Sequence, residues 1–258
     1  MNIKVGLCSV TFRNLNATKI LNIASKAKIH GIEWGSDVHV PCGDYKRADK
    51  IREESLKLNI FPASYGSYIH FGEKDYDYDK YIKTTLTLGA SNIRVWAGRL
   101  GVPSNNYTNQ ERIYVIDEIK RFCEKAFKYN LVVSLEYHPN TLTDSISSTL
   151  SIFKDLDNDN LFTYWQANPG FKQLDCLNEL KLLKNKLSNL HIFQLDENKK
   201  RYPLYAGRYF WIERLKSITK LKNKHDDRYA FLEFVLNDSI DQFLKDSRTL
   251  KDIISKLS

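Results

Sequence analysis

Several features that would identify a function directly are missing from this sequence. No apolar run approaches the roughly 20 residues that a transmembrane helix needs. The G-x-G-x-x-G and G-x-x-x-x-G-K-[ST] motifs of nucleotide-binding proteins are absent. The first segment, MNIKVGLCSVTF, has a single lysine and no small-residue cleavage pattern, so we expect a first strand there and not a signal peptide. These absences argue against a membrane protein and against an open nucleotide-binding sheet.

Cysteine is scarce and scattered. The four cysteines form no C-x-x-C pair and stand at Cys8, Cys42, Cys123 and Cys176. In a chain of 258 residues this spacing favours reduced thiols over a disulfide framework or a zinc knot. The sequence therefore predicts a cytoplasmic protein.

Positive charge is in excess, with a formal net charge of +8 and a pI near 9.1. Nucleic acid or a phosphorylated substrate could account for such a charge. However, the lysines are spread along segments that look like exposed helix faces, and the one tight cluster, Lys199 to Arg201, lies in a predicted loop. No basic stripe is interleaved with aromatic residues, as it is in single-strand binders. We therefore expect no nucleic-acid or membrane partner, and a homo-oligomer stays open.

Strand and helix patterns alternate along the whole chain. Strand-like segments cover residues 3–10, 31–35, 61–71, 92–98, 131–138, 161–168, 188–195 and 229–235. Helix patterns follow them, from Asn16 towards Gly31, over 45–58, 77–88, from Thr108 onward, and over about 143–156, 173–185, 209–223 and 239–257. Eight such units at this length favour one α/β domain over residues 1–258, a closed (β/α)8 TIM barrel.

Local signals place the ends of three helices. Asn16 is expected to cap the first helix and Gly31 to end it, and Gly89 is expected to end the third. The segment TNQE at residues 108–111 has the form of a capping box. It opens a helix whose inward positions are predicted to be Ile113, Ile116, Ile119 and Cys123.

Polar and aromatic side chains recur where the apolar strands end. The segment LVVSLEYHPNT, residues 131–141, passes from a buried strand to Glu136 and His138 before Pro139 breaks the run. In a barrel the C-terminal strand ends meet at one mouth, where such groups would converge on one cavity. The residues at these positions are Glu33, Trp34, Arg94, Trp96, Glu136, His138, Gln166, Asn168, His191, Gln194 and Glu233. Oxygen and imidazole ligands from separate strands suit one divalent cation of the Mn, Mg, Co or Zn type.

These residues also allow a purely structural interpretation. Glu33 could pair with Arg94 and merely fill the barrel, and tryptophans such as Trp34 and Trp96 are more often core than substrate platform. This structural interpretation is harder to apply to Glu136, His191 and Glu233. A carboxylate inside a barrel is costly to bury unless it is paired or bound to a metal.

In their order and spacing, the strand-end segments resemble the sugar phosphate isomerase/epimerase family, the xylose isomerase-like TIM barrels. The segments that carry the resemblance are SVTFRNL, GIEWG, SYGSYIHFG, IRVWAG, LEYHPNTLTDS, YWQANPG, NLHIFQ and LEFVLND. The family typically holds one divalent metal with Glu, Asp, His and Glu from strands 5 to 8. The matching residues here are Glu136, Gln166, His191 and Glu233. Gln166 departs from the expected aspartate, and Gln194 from an aspartate that often follows the histidine, so the resemblance implies a weakened metal site.

The resemblance also implies the chemistry of a sugar, sugar-phosphate or polyol isomerase or epimerase. Glu136 and Glu233 would be the acid/base pair that moves a proton beside a carbonyl. A lyase or dehydratase that uses the same proton abstraction is a close alternative. The remaining strand-end residues would contact the carbohydrate-like substrate: Glu33, Trp34, Arg94, Trp96, His138, Asn168 and Gln194.

Two further functions stay open at this level. A barrel that binds sugar without catalysis would explain the two glutamines. The family also includes the endonuclease for abasic sites, whose zinc cluster needs extra histidines on strands 4 and 6 and after strand 7. The segments IRVWAG, LFTYWQAN and RYPLYAG contain none, so this function ranks last.

Overall fold

Eight parallel strands close into a barrel in the computed structural model, which describes residues 2–219 and 227–257. The strands are β1 (Asn2–Cys8), β2 (Gly31–Gly35), β3 (Phe61–His70), β4 (Asn92–Trp96), β5 (Val132–Glu136), β6 (Leu161–Trp165), β7 (Leu187–Ile192) and β8 (Asp227–Leu232). Consecutive strands pair in parallel, and β1 pairs with β8 to close the sheet. The predicted (β/α)8 barrel is confirmed.

One α-helix follows each strand. The helices are α1 (Ala17–Lys26), α2 (Tyr45–Lys57), α3 (Tyr78–Leu88), α4 (Asn109–Phe127), α5 (Ile146–Asp155), α6 (Gln173–Leu183), α7 (Arg208–Thr219) and α8 (Ile240–Ser255). A short antiparallel pair, Gln194–Leu195 with Arg201–Tyr202, follows β7. The predicted end of the seventh helix, residue 223, lies outside the described residues. No helix in the described part of the chain is long and apolar enough to cross a membrane.

The helix ends confirm most of the local predictions. Asn16 Oδ1 accepts from the Lys19 N–H at 2.9 Å, and both hydrogen bonds of the capping box at Thr108 are present. Gly89 ends α3 in the left-handed conformation, with φ of 78°. The prediction for Gly31 is wrong, because α1 already ends at Lys26 and Gly31 starts β2. A Cβ on Gly31 would lie 2.7 Å from the Tyr229 ring, so close packing inside the barrel requires a glycine at this position.

The buried face of α4 differs from the predicted one. Ile113 is 59% exposed and Ile116 only half-buried, whereas Ile119 and Cys123 are buried as expected. The inward stripe instead runs through Val115, Ile119, Phe122 and Ala126, which are spaced by four, three and four residues. This is the spacing of one helix face. The prediction followed the isoleucines and therefore placed the buried face part of a turn away from its actual position.

Strand alternation divides the buried side chains between two regions. Outward-facing strand residues such as Ile93 and Leu135 join the main apolar core together with the helices. A small apolar cluster of Cys8, Tyr164 and Phe231, with Ala63, lies apart from that core and fills the barrel interior. The polar strand-end side chains described next lie above this cluster, at the C-terminal mouth.

Candidate metal and active site

Arg94 joins two buried carboxylates at the C-terminal end of the barrel. Its Nε donates to Oε1 of Glu33 at 2.9 Å, and its Nη1 donates to Oε2 of Glu136. The indole N–H of Trp96 donates to the same oxygen of Glu136. Gly66 leaves the space for this ion pair, because a Cβ there would lie 2.7 Å from Arg94 Nη2. Two carboxylates can therefore stay ionised inside the barrel, since each has a charged partner.

His191 lies among three carboxylates that come from three other strands or their ends. Its Nε2 is 3.3 Å from Oε1 of Glu33. Its Nδ1 is 3.4 Å from Oε1 of Glu136 and 3.4 Å from Oε2 of Glu233. His191 itself is fully buried. Glu136 and Glu233, which were selected from their strand-end positions together with His191, thus both contact this histidine.

Burial and neighbouring charges oppose each other in this cluster. Burial raises the pKa of Glu33, but Arg94 and His191 lower it to about 2. The pKa of Glu136 falls below its usual range despite burial, chiefly because of Arg94. Burial raises the pKa of Glu233, although His191 opposes the shift. Burial lowers the pKa of His191, yet Glu233 and Glu33 carry it well above its usual value. The cluster therefore favours a positive charge at its centre.

Unpaired buried atoms test whether the four predicted ligands fit a metal ion. Within the described residues, Gln166 Oε1 has no hydrogen-bond partner, and His191 Nδ1 and Glu233 Oε2 lie 3.4 Å apart without forming a hydrogen bond. Buried polar atoms are almost always paired, and these three belong to three of the four predicted ligands. With a neutral imidazole, the three carboxylates and the Arg94 guanidinium leave two negative charges, which one divalent cation would neutralise. In their donor chemistry the residues present fit one such cation, for which Gln166 would be a neutral ligand.

A second group of metal-donor atoms lies on the Nε2 side of the His191 imidazole. The ligand atoms of Cys8, Glu33 and His191 lie within 4.8 Å of one another. The Cys8 thiol donates to Oε1 of Glu33 at 3.3 Å, and burial raises the thiol pKa far above its usual value. The same Glu33 oxygen also accepts from Arg94, so these groups form one hydrogen-bonded set. We interpret this group as the support that holds His191 in place.

A cavity of about 480 Å³ opens at the C-terminal mouth of the barrel. This volume is in the range of small-molecule sites. The Trp96 ring lies between the imidazoles of His70 and His138, with ring centroids 4.1 and 5.5 Å away. Five of the predicted site residues line the cavity: Arg94, Trp96, Glu136, His138 and Glu233.

Four predicted substrate residues lie elsewhere. Trp34 follows Glu33 on β2 and so points to the opposite face of the sheet, where it is fully buried in the main core. Glu33 has no exposed surface and does not line the cavity, in line with the structural interpretation of its pairing with Arg94. Asn168 and Gln194 line a different cavity, beyond the ends of β6 and β7.

Three of the cavity residues that were not selected from the sequence carry polar groups of interest: Arg13, Tyr68 and Arg201. Arg13 pairs with Asp37 and donates to the Tyr68 hydroxyl at 2.8 Å. Tyr68 has a φ of 56°, where the pairing of β3 with β4 shifts register. Arg201 belongs to the cluster assigned to solvated surface, yet it lines the cavity. Of these, Arg13 and Tyr68 carried a usable signal, because they lie in the strand-end segments SVTFRNL and SYGSYIHFG.

Comparison with known proteins extends this description. No family model matches the sequence. A 3-dehydroshikimate dehydratase from Bacillus anthracis is 28% identical over 173 residues, a match that covers 61% of this chain and 59% of that protein. The chain thus spans less than two thirds of the length of this curated relative.

Solved structures are similar over nearly the whole chain. The probable 3-DHS dehydratase AsbF of Bacillus anthracis has a TM-score of 0.77 at 20% identity, covering 96% of this chain and 99% of its own. The IolI protein, whose structure has a bound zinc atom, has a TM-score of 0.76 at 16% identity, with 99% of both chains covered. An L-ribulose 3-epimerase has a TM-score of 0.72 at 11% identity, covering 99% of this chain and 96% of its own. Xylose isomerase domain proteins share the same architecture. The chain therefore has the xylose isomerase-like TIM barrel fold that its sequence predicted.

Proposed function

We propose that this protein is a metal-dependent isomerase or epimerase that moves a proton beside the carbonyl of a small carbohydrate-like molecule. The observation that carries this proposal is the convergence of Glu136 and Glu233 on His191 at the cavity of about 480 Å³. The fold shared with an L-ribulose 3-epimerase and with zinc-binding IolI supports it.

One divalent cation of the Mn, Mg, Co or Zn type would be held by Glu136, Gln166, His191 and Glu233. Such an ion, when bound, polarises a carbonyl oxygen and stabilises the negative charge that develops as the neighbouring proton leaves. Two contacts orient these ligands before a metal binds. Arg94 donates to Oε2 of Glu136, and Glu33 contacts Nε2 of His191, the nitrogen on the far side of the ring from the proposed metal.

The two glutamates of the proposed acid/base pair lie in different environments. Glu136 Oε2 accepts hydrogen bonds from Arg94 and Trp96, which hold this carboxylate in its anionic form. Glu233 lines the cavity, and its Oε2 has no hydrogen-bond partner among residues 2–219 and 227–257. Burial raises the pKa of Glu233, which suits a group that carries a proton and donates it to carbon. We therefore assign the removal of the proton to the anionic Glu136 and the delivery of a proton on the other face to Glu233.

The cavity wall matches a polyhydroxylated substrate. Trp96 and His138 line the cavity side by side, and this aromatic wall can contact the C–H groups of a sugar. His138 also lines the cavity, where its imidazole can hydrogen-bond a hydroxyl group. Arg13 and Arg201 also line the cavity; each pairs with an aspartate, Asp37 and Asp238, and would bind a substrate carboxylate or phosphate by exchanging that partner.

A dehydratase is the second candidate, favoured by the similarity to the 3-dehydroshikimate dehydratase. Its first step is the same removal of a proton beside a carbonyl. The electron pair then forms a C=C bond while the C–O bond one carbon further breaks, and the hydroxide takes up a proton and leaves as water. The two candidates therefore share the roles of Glu136 and Glu233 and differ in the product.

Proton exchange in D₂O tests the proposal. The protein with added Mn²⁺ is incubated with D-fructose, L-ribulose and 3-dehydroshikimate, and the products are followed by ¹H NMR. Deuterium beside the carbonyl of a recovered sugar or its isomer supports an isomerase, whereas loss of water from 3-dehydroshikimate supports the dehydratase. Glu136→Gln and Glu233→Gln should each lower the rate by about 100-fold or more, because positioned acid/base groups contribute roughly that much.

Glu53→Gln, a change on the exposed face of α2, is the matched control and should keep the wild-type rate. If both active-site variants exchange at the wild-type rate on a confirmed substrate, the assigned roles are wrong.

A further inference from the structure

A second cavity, of about 540 Å³, lies beside the chain segments that follow β6 and β7. Its walls are formed by the loop after β6, by residues 193–197 and by α7. Within the described parts of the chain, it shares no lining residue with the first cavity. The reaction proposed above makes no use of it.

Arg214 is a buried cation in the wall of this second cavity. Its side chain is mostly buried, and no carboxylate of the described residues lies within ion-pair distance of it. The guanidinium carbon is 4.9 Å from the Trp211 ring and 6.0 Å from the Trp165 ring. Burial lowers its pKa, and this shift is opposed by Cys176 and Glu179. An anion on Arg214 would remove the cost of this unpaired charge.

The nearby carboxylate of Glu179 is already committed to other partners. Its Oε1 accepts from the Tyr137 hydroxyl at 2.6 Å, and its Oε2 accepts from the Trp165 indole at 2.9 Å. The Nε of Arg214 has no hydrogen-bond partner in the described structure. Arg214 lines the cavity, and its buried Nε retains an unsatisfied donor that a ligand reaching it would pair.

Two amide oxygens complement this donor. Asn168 is 6% exposed, and its Oδ1 has no hydrogen-bond partner within the described chain. The same holds for Oε1 of Gln173, whose Nε2 donates to Phe210 O and to Glu213 Oε2 at 3.1 Å each. Such oxygens accept from hydroxyl groups and disfavour a second anionic group. The cavity thus combines one site for a negative charge with two for hydroxyl donors.

We propose that the second cavity binds a small hydroxylated monocarboxylate, with the carboxylate on Arg214 and hydroxyl groups on Asn168 and Gln173. Asp196 and Glu197 in the cavity wall outweigh the positive charge of Lys172, so the surroundings of Arg214 carry net negative charge that disfavours a doubly charged phosphate. The ligand would lie beside the segments that follow Gln166 and His191, two of the predicted metal ligands. The proposal holds whether or not the barrel is an isomerase.

Calorimetry and tryptophan fluorescence test this site with D-glycerate as the probe. Metal-stripped protein is titrated with glycerate and, separately, with inorganic phosphate. Glycerate should bind, release heat and change the emission, because Trp165 and Trp211 lie next to Arg214. Phosphate should bind more weakly.

Arg214→Met should raise the glycerate Kd by about 10- to 100-fold, since it removes charge-assisted hydrogen bonds. Arg214→Lys should give a smaller loss, because it keeps the charge but not the planar fork. Arg248→Met, with the same charge change on the exposed surface of α8, is the matched control and should bind as the wild type does.

Two further variants keep the proposal falsifiable if Arg214→Met fails to fold. Asn168→Asp adds a carboxylate to the cavity and should abolish glycerate binding by repulsion. Glu233→Gln alters the first cavity only and should leave glycerate binding intact. The proposal is overturned if glycerate does not bind, if phosphate binds more tightly, if binding survives in the folded Arg214 and Asn168 variants, or if Glu233→Gln removes it.

Discussion

The Nε2 atom of His191 lies 3.3 Å from Oε1 of Glu33, while the Nδ1 atom faces Glu136 and Glu233. The two nitrogens of one imidazole therefore have separate tasks. One is held by a carboxylate on β2, and the other points to the oxygens of β5 and of the end of β8. In metal sites, such a carboxylate partner fixes the ring orientation and raises the basicity of the ligating nitrogen.

This relationship predicts that Glu33 controls metal affinity without being a ligand. Glu33→Gln should weaken the binding of Mn²⁺ and Zn²⁺ by about 10- to 100-fold, the usual effect of losing such a partner. Calorimetric titration of the metal-stripped protein measures this, with circular dichroism to verify that the variant folds. Wild-type affinity in Glu33→Gln would mean that the pair only fills the barrel.

Gln166 should be the weak point of the metal site. A neutral amide is a poorer ligand than a carboxylate for a hard cation, so Gln166→Asp should bind metal more tightly than the wild type. His191→Ala should abolish binding in the same titration. If neither Mn²⁺ nor Zn²⁺ binds at millimolar levels, or if binding survives in His191→Ala, these residues do not form the metal site. A sugar-binding barrel without catalysis would then be the better interpretation.

We expect no cleavage of DNA at abasic sites. The described mouth of the barrel has histidines at the ends of β3 and β5 and on β7, but strand 4 and the segments after β6 and β7 supply none for further zinc ions. The assay uses an abasic-site duplex with added Zn²⁺ or Mn²⁺. Metal-dependent nicking that disappears in Glu233→Ala would refute this prediction.

Acid should destabilise the protein through His70. Burial, followed by the charge of Arg94, lowers the pKa of this imidazole from 6.5 to about 4. The unfolded chain therefore binds more protons than the folded one between these values, so stability is complete above the unfolded pKa and falls as the pH drops through it. Between pH 7 and pH 5, His70 should cost on the order of 1 kcal/mol of unfolding free energy.

Urea unfolding at both pH values measures this loss. His70→Gln should show a smaller decrease between pH 7 and pH 5 than the wild type, since glutamine does not titrate. An equal decrease in both proteins would assign the acid sensitivity to other groups.

The barrel was predictable because its signals are local and repeated. Caps at Asn16 and Thr108 and the alternation of strands with helices do not depend on distant contacts. The buried face of α4 was harder to predict, because Ile113 is as apolar as the residues that are buried. Only the packing against the strands decides which stripe of that helix faces inward.

The site was predictable where a side chain lies on or directly after a strand. Glu136 and His191 occupy positions of β5 and β7 whose side chains point into the barrel. Trp34 is one residue away from such a position on β2, so its side chain points to the outer face of the sheet. Asn168 and Gln194 lie past the strand ends, where the pleat no longer fixes the direction of a side chain. Tyr68 reaches the cavity because its backbone is left-handed, a conformation that the sequence pattern did not predict.

Closure of the barrel by β1 against β8 also orders events during synthesis. Glu33 and Glu136 leave the ribosome long before His191 and Glu233, and the last of these follows the final strand. The cluster cannot assemble until β8 has entered between β1 and β7. A growing chain therefore keeps these carboxylates hydrated and apart, and binding of the proposed cation would be a late step that follows completion of the fold.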